Sequence, residues 1–295
     1  MILAESLAKQ LSASIDPAAY LSTLGFNAYE WQKMVLTPGI MRLILNCARQ
    51  SGKSVDVSAL VTHQTKYSPG SLVLLFAPTE NQAIELMDKI SVFMKMDPEI
   101  ILIRDSTVTK KLLNGSKIIA FSAAPKSARG FSDPDIIVFD EASQTPDELY
   151  LTVRPMMTGG KTRLILLSTP FGKQGFFYEI WDKVSTIWTK VLVKPVDIMH
   201  EWSPAKYPKI NEEKYRLDNA KIGIRAFISP RHTKEWLLEE LEEMGEHWFL
   251  QEYGCEFRSR LDSVFDEDSF MRCFDDNVPL LDTISLVEVE EEAYF

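Results

Sequence analysis

The segment Cys47-Ala48-Arg49-Gln50-Ser51-Gly52-Lys53-Ser54 sets a glycine, a lysine and a hydroxyl in succession after an apolar run. This is the right half of the phosphate-loop pattern GxxxxGK[ST]. In that pattern backbone N–H groups and a helix N-terminus cradle phosphate oxygens, the lysine reaches the β and γ oxygens, and the hydroxyl ligates Mg²⁺. Gly52 allows the close approach, Lys53 supplies the charge and Ser54 the metal ligand, while Gln50 and Ser51 complete the loop. One position departs from the pattern: Cys47 stands where the first glycine belongs, and Arg49 adds a second cation inside the loop. Downstream, Asp135-Ile136-Ile137-Val138-Phe139-Asp140-Glu141-Ala142 is an apolar run closed by two adjacent carboxylates. Behind a phosphate loop such a pair divides two tasks. Asp140 would hold Mg²⁺ through water or Ser54, and Glu141, turned toward the γ-phosphate, would polarise the attacking water as general base. A third run, Leu166-Leu167-Ser168-Thr169-Pro170, places the Ser168 and Thr169 hydroxyls where a γ-phosphate sensor belongs. The following Phe171-Gly172-Lys173 turn leads toward a helix, which suits a coupling role.

Little else in the chain competes with this chemistry. The 3 cysteines (Cys47, Cys255, Cys273) form no CxxC pair, and the 4 histidines (His63, His200, His232, His247) are scattered. Such spacing suits a reducing compartment and argues against a disulfide framework or a zinc site. No apolar run approaches the ~18 residues of a membrane helix, and the N-terminus lacks a basic segment followed by an apolar one. A cytosolic protein with no membrane partner is expected. At 295 residues, 45% hydrophobic and 25% charged, the chain is of ordinary globular composition and holds one large domain or two small ones.

Positioning these residues requires particular elements. Apolar runs rich in Ile, Leu and Val recur at Arg42–Cys47, Leu72–Ala77, Lys117–Phe121, Asp135–Asp140, Arg163–Ser168 and Thr189–Val193. With little polar alternation they read as strands buried on both faces, and so as a mainly parallel sheet covered by helices. Helices are expected over Leu3–Leu11, after Asp16-Pro17, over Tyr29–Leu36, and between strands at Lys53–Lys66, Glu80–Met96 and Gly175–Val184. Beyond Pro204 the strand signal stops, and Glu212–Ile222, His232–Met244 and Glu246–Tyr253 read as a small helical subdomain. The expected organisation is a core with N-terminal helices over 1–205, a helical lid over 206–262 and an acidic segment over 263–295. Ligands of such sheets bind at the carboxyl ends of the strands, which is where all three polar clusters fall.

Together these residues resemble the ATPase domain of the large terminase subunits of bacteriophages and herpesvirus-type viruses, motors that move DNA into viral shells. The resemblance is carried by Trp31-Gln32, Arg49-Gln50-Ser51-Gly52-Lys53-Ser54, Phe76-Ala77-Pro78-Thr79 with Gln82-Ala83, Ser127-Ala128-Arg129-Gly130, Val138-Phe139-Asp140-Glu141-Ala142, Ser168-Thr169-Pro170 and Gln251-Glu252-Tyr253. It spans residues 28–258 in order, and the arginine-bearing loop without its first glycine resembles that family's own variant. The resemblance implies a RecA-like α/β fold of the ASCE class, ATP and Mg²⁺ as ligands, and ATP hydrolysis powering translocation of double-stranded DNA. It further implies portal and small terminase subunits as partners, self-association into a pentameric ring, and work in the host cytoplasm at a procapsid portal. By the same resemblance Gln32 reads the adenine edge, Arg49 steadies the phosphates and Ser168-Thr169 couples hydrolysis to motion. Arg129 is the arginine finger reaching a neighbouring subunit's γ-phosphate, with Arg154 a second candidate. Large terminases continue into a nuclease domain with metal-binding acids at strand ends; Asp275, Asp276 and the run Glu288, Glu290, Glu291, Glu292 lack that placement, so nuclease activity is not expected from this chain.

A DNA motor needs cations near its site. Basic residues dominate Arg104–Phe131 and Arg154–Lys173, and Arg104, Lys110 and Lys111 are the candidate DNA contacts. The formal net charge of −10 opposes this only superficially, because nearly all of it lies in Phe265–Phe295, where Arg272 is the lone base. Two other readings stay open. A superfamily 2 helicase-like translocase shares Ala77-Pro78-Thr79 and Asp140-Glu141 but needs a second RecA-like domain, and a non-hydrolysing nucleotide-binding assembly module would not need Glu141.

Overall fold

A computed structural model describes residues 2–123 and 130–258. In chain order the elements are α1 (Ile2–Ile15), α2 (Pro17–Thr23), α3 (Glu30–Leu36), β1 (Arg42–Cys47), α4 (Lys53–Tyr67), β2 (Leu72–Ala77), α5 (Glu80–Met96), β3 (Leu102–Asp105), β4 (Thr109–Leu112), β5 (Lys117–Ser122), β6 (Ile136–Asp140), α6 (Asp147–Val153), β7 (Arg163–Ser168), α7 (Gly175–Asp182), β8 (Thr189–Lys194), α8 (Met199–Trp202), α9 (Glu212–Lys221), β9 (Ile224–Ile228) and α10 (Lys234–Glu252). The helix starts follow local chemistry. Asp16 accepts a hydrogen bond from the Ala18 N–H ahead of a proline, and Thr79 and Gln82 form a reciprocal capping box that opens α5. Within α10, Gly245 takes φ 78° and breaks the helix where the sequence separated two.

The strands form one sheet in the order β3-β4-β5-β2-β6-β7-β1-β8-β9. Every pairing from β5 through β9 is parallel, and β3 and β4 add an antiparallel edge. The apolar runs form buried strands as expected: β7 and β6 are buried along their whole length. Their side chains feed two cores. Leu43, Leu45, Val73, Leu75, Val138 and Ile165 pack against α4 and α5 on one face, whereas Ile44, Phe76, Ile137, Phe139 and Leu166 meet α6 and α7 on the other. Stacking of Phe76 on Phe139, with centroids 4.9 Å apart, ties β2 to β6 on that second face.

Two expectations need correction. The segment after Pro204 is not purely helical: Ile224–Ile228 is a strand that pairs in parallel with β8 and extends the central sheet. Its sequence hides it because an edge strand is short and only partly buried, here with a single buried residue, Ala226. The β3–β4 hairpin is likewise hidden, since Arg104, Asp105 and Lys111 face solvent and interrupt the apolar pattern. No helix among the described residues is long and apolar enough to cross a membrane.

Candidate nucleotide site

The site is built where β1, β7 and β6 end side by side. Cys47 is not a failed loop residue; it is the last residue of β1, fully buried and in register with Val193 of β8. Ordinary strand geometry there needs no glycine, and burial pushes the Cys47 thiol up to about 12, so it is an inert packing group. The turn itself takes the unusual backbone: Gln50 has φ 56° and Gly52 φ 99°, immediately before α4 opens at Lys53. A left-handed loop running into a helix N-terminus directs successive N–H groups to one side and makes an anion cradle. Outside the cradle the loop is anchored to neighbours. The Ala48 N–H donates to the Val193 carbonyl (2.8 Å) and the Arg49 N–H to the Glu252 carbonyl (2.9 Å).

Because β7 lies between β1 and β6, its Ser168 and Thr169 stand between the loop and the carboxylates. Lys53 crosses this gap. Its Nζ lies 2.7 Å from Glu141 Oε1 and donates to Thr169 Oγ1 at 3.3 Å. Glu141 is held from its other side by Ser168 Oγ, which donates to Oε2 at 3.2 Å. With the Ser168 proton directed to Glu141, Ser143 Oγ, 2.6 Å away, donates to Ser168 Oγ and ties the turn after β6 to the end of β7. Glu141 also adopts φ 49°, a left-handed conformation that costs an L-residue about 1–2 kcal/mol and that marks a functional constraint when the surroundings enforce it.

Charges respond to this crowding. Burial alone would lower the Lys53 ammonium, but Glu141 and Asp140 outweigh it and hold it above the usual lysine range. Asp140, buried at the end of β6, is raised by burial first and by the neighbouring Glu141 carboxylate second, with Lys53 opposing. A buried carboxyl with this deficit of positive charge, together with the Ser54 hydroxyl in the first turn of α4, fits a Mg²⁺ ion that takes few protein ligands and completes its shell with water and phosphate oxygens. Among the described residues no group of three or more His, Cys, Asp or Glu could hold a metal by itself.

The other expected residues are placed unequally. Gln32 is buried in α3, its Oε1 accepting the Tyr29 N–H at 2.7 Å, and its Nε2 faces the Cα of Gly52. Arg49 points away along the surface and pairs with Glu252 Oε2 at 3.2 Å. Lys110 is a correction: it is buried and ion-paired with Asp105, so of the three candidate DNA contacts only Arg104 and Lys111 are exposed. Arg154 is exposed, stacks over Tyr150 and lies near Arg42 at the start of β1, the sheet edge opposite its own phosphate loop. Arg129 lies outside the described residues, as does the acidic segment 263–295. Sequence reasoning missed Ser143, Asp56 and Arg231. Only Asp56 left a signal, an acid three residues after Lys53 on an otherwise buried helix face.

A left-handed loop opening a helix, paired carboxylates one strand removed and a mainly parallel sheet make a RecA-like α/β fold. Within that class residues 44–272 match the family model for the terminase large subunit, T4likevirus-type, N-terminal, and the chain belongs to that family. Terminase large subunits of Thermus virus P23-45 and Thermus phage G20c are each 22% identical to it over 267 residues, or 83% of this chain and 52% of theirs. The chain thus spans about half the length of the curated relatives it matches. Its fold is similar to the large terminase ATPase domain of Thermus phage P74-26, with TM-score 0.60, 20% identity, and coverage of 82% of this chain and 99% of that one. The large terminase of another thermophilic bacteriophage, in complex with ADP, is also similar, with TM-score 0.52, 10% identity, and coverage of 77% of this chain and 53% of that one.

Proposed function

We propose that this chain is the ATP-hydrolysing part of a DNA-packaging motor, with the triphosphate bound over the loop Arg49–Ser54 and cleaved by water activated at Glu141. The observation that carries the reading is the Lys53–Glu141 pair, 2.7 Å long, formed across the Ser168-Thr169 end of the intervening strand. It sets a phosphate-binding cation and a candidate base within one bond of each other at the mouth of the cradle.

A triphosphate competes with Glu141 for Lys53. As Lys53 turns to the β and γ oxygens, Glu141 loses its counter-ion and becomes free to accept a proton from water. Ser168 keeps the Glu141 carboxylate oriented through Oε2, so the base does not drift when the lysine leaves. Ser54 and Asp140 are the residues that would hold Mg²⁺, which when bound neutralises charge developing on the β and γ oxygens. Gln32 would hydrogen-bond the adenine edge, and Arg49, released from Glu252, would add a second cation to the phosphates. Thr169, already bonded to Lys53, is suited to report the lysine's position to α7 through the turn that follows it.

The remaining barrier is transition-state charge, which an arginine from a neighbouring copy can offset by several powers of ten in rate. We assign that finger to Arg129, with Arg154 second because it faces away from its own loop. Either assignment calls for a ring, taken as a pentamer, around double-stranded DNA with portal and small-subunit partners. Equilibrium binding of a fluorescent ATP analogue with Mg²⁺ tests the site: wild type is expected to bind, and Lys53→Ala to lose at least about tenfold in affinity. Equal affinities would reject it.

A further inference from the structure

The connection between β9 and α10 brings a cation to the phosphate loop that no motif announces. The guanidinium of Arg231 packs on the Cα of Gly52: a Cβ built there would lie 3.2 Å from its Nη1 and 3.7 Å from its Cδ, and 3.8 Å from Gln32 Nε2. Arg231 forms no ion pair among the described residues and is exposed. The neighbouring His232 stacks on Trp236 with centroids 5.2 Å apart, which fixes this segment against the helix that also anchors Arg49. A second observation converges on the same place. Asp56, on the first turn of α4, is fully buried, and no donor makes a well-formed hydrogen bond to either carboxylate oxygen, although the Gln32 amide lies against it and favours its charged form. The polar groups facing it are Gln32 and Arg231.

A guanidinium that closes no ion pair among the described residues, set beside a buried amide, is suited to a flat, polar-edged ligand. Its plane stacks on an aromatic ring while the amide reads the ring's edge. We infer that Arg231 is a nucleotide-contact residue that covers the face of the base whose edge Gln32 reads, and that Asp56 is the positioning residue that orients the Gln32 amide from below. The inference rests on the proposed ATP site and adds to it the source of base recognition: a cation carried in cis by the β9–α10 connection. Because the proposed base reader, Gln32, meets the same Gly52 position, the inference puts Arg231 on the nucleoside side of the loop rather than with Lys53 and Glu141.

The test is competition against a fluorescent ATP analogue by ATP, GTP and inorganic tripolyphosphate, on wild type, Arg231→Ala, Asp56→Asn and Lys53→Ala. Arg231→Ala is expected to weaken ATP about tenfold, the loss of roughly 1.4 kcal/mol, and to leave tripolyphosphate unchanged. Asp56→Asn, which preserves shape, is expected to reduce the ratio of ATP to GTP affinity severalfold with tripolyphosphate again unchanged. That last arm also verifies that the variant is folded. If Arg231→Ala binds ATP like wild type, or loses tripolyphosphate to the same degree as ATP, the base-side assignment is overturned. An unaltered ATP to GTP ratio in Asp56→Asn would remove its positioning role. Failure of wild type to bind ATP, or undiminished binding by Lys53→Ala, would instead reject the ATP site itself.

Discussion

Glu141 is held by three constraints at once: a left-handed backbone, an ion pair to Lys53 and a hydrogen bond from Ser168. Such over-determination would orient the proposed base, whereas simple burial would leave one oxygen free. Ser168→Ala is therefore expected to reduce the turnover number about tenfold while leaving the affinity for ATP within a factor of two, because only the orientation of the base is lost. Steady-state phosphate release over a range of ATP concentrations separates the two parameters. Gly52 is constrained differently. At φ 99° and against Arg231 and Gln32, a side chain is both strained and obstructed. Gly52→Val should cost about 2 kcal/mol of stability and abolish binding of the fluorescent analogue, read by denaturant titration and fluorescence respectively. That these residues would gather at the strand ends was legible in the sequence, because they close the apolar runs that form β1, β6 and β7. Arg231 was not, because its position depends on a strand, β9, whose place beside β8 no local pattern shows.

At the scale of elements the sheet was read from its buried members and lost at its edges. β1, β2, β6 and β7 carry mostly apolar runs because helices cover both faces, while β3, β4 and β9 expose charges on one side and lose the pattern. What orders the helices over the first core was likewise invisible. Asp97, just past α5, accepts from Tyr20 of α2 at 2.8 Å and from Lys66 of α4 at 2.6 Å, joining three helices separated widely in sequence. Burial pushes the Asp97 carboxyl up, but the hydrogen bonds from Lys66 and Tyr20 outweigh it and hold it below the usual carboxylate range. A depressed folded pKa contributes stability that is present above the unfolded value and is lost as pH falls through the folded one. Asp97→Asn should lower the unfolding free energy by about 3 kcal/mol at neutral pH, with its gap to wild type closing below pH ~4. Urea titrations of both proteins at neutral pH and at about pH 3 would show it; a gap independent of pH would mean that the carboxylate charge is not what joins these helices.

The whole molecule sets a polar, loop-rich edge, where the strands end and the site lies, against an opposite edge that carries Arg154. If a neighbour's arginine completes the site, as proposed, turnover is a property of the assembly. Specific activity is then expected to rise with protein concentration, and Arg129→Ala to remove hydrolysis while sparing ATP binding. A specific activity flat over the accessible range, with Arg129→Ala fully active, would place the stabilising cation in cis. The exposed pair Arg104 and Lys111 lies on the β3–β4 hairpin at the far end of the sheet from β9, and reversing both charges tests whether that edge meets DNA through stimulation of ATPase activity. The hydrolysis outcomes rest on one chemical proposal, that Glu141 is the base of a nucleotide hydrolase. The most direct measurement is phosphate release from ATP and Mg²⁺ by wild type beside Glu141→Gln, with nucleotide binding measured on the same samples. The variant is expected to bind ATP at least as tightly as wild type and to hydrolyse it slower by about two to four powers of ten; equal rates of phosphate release would show that Glu141 is not the base.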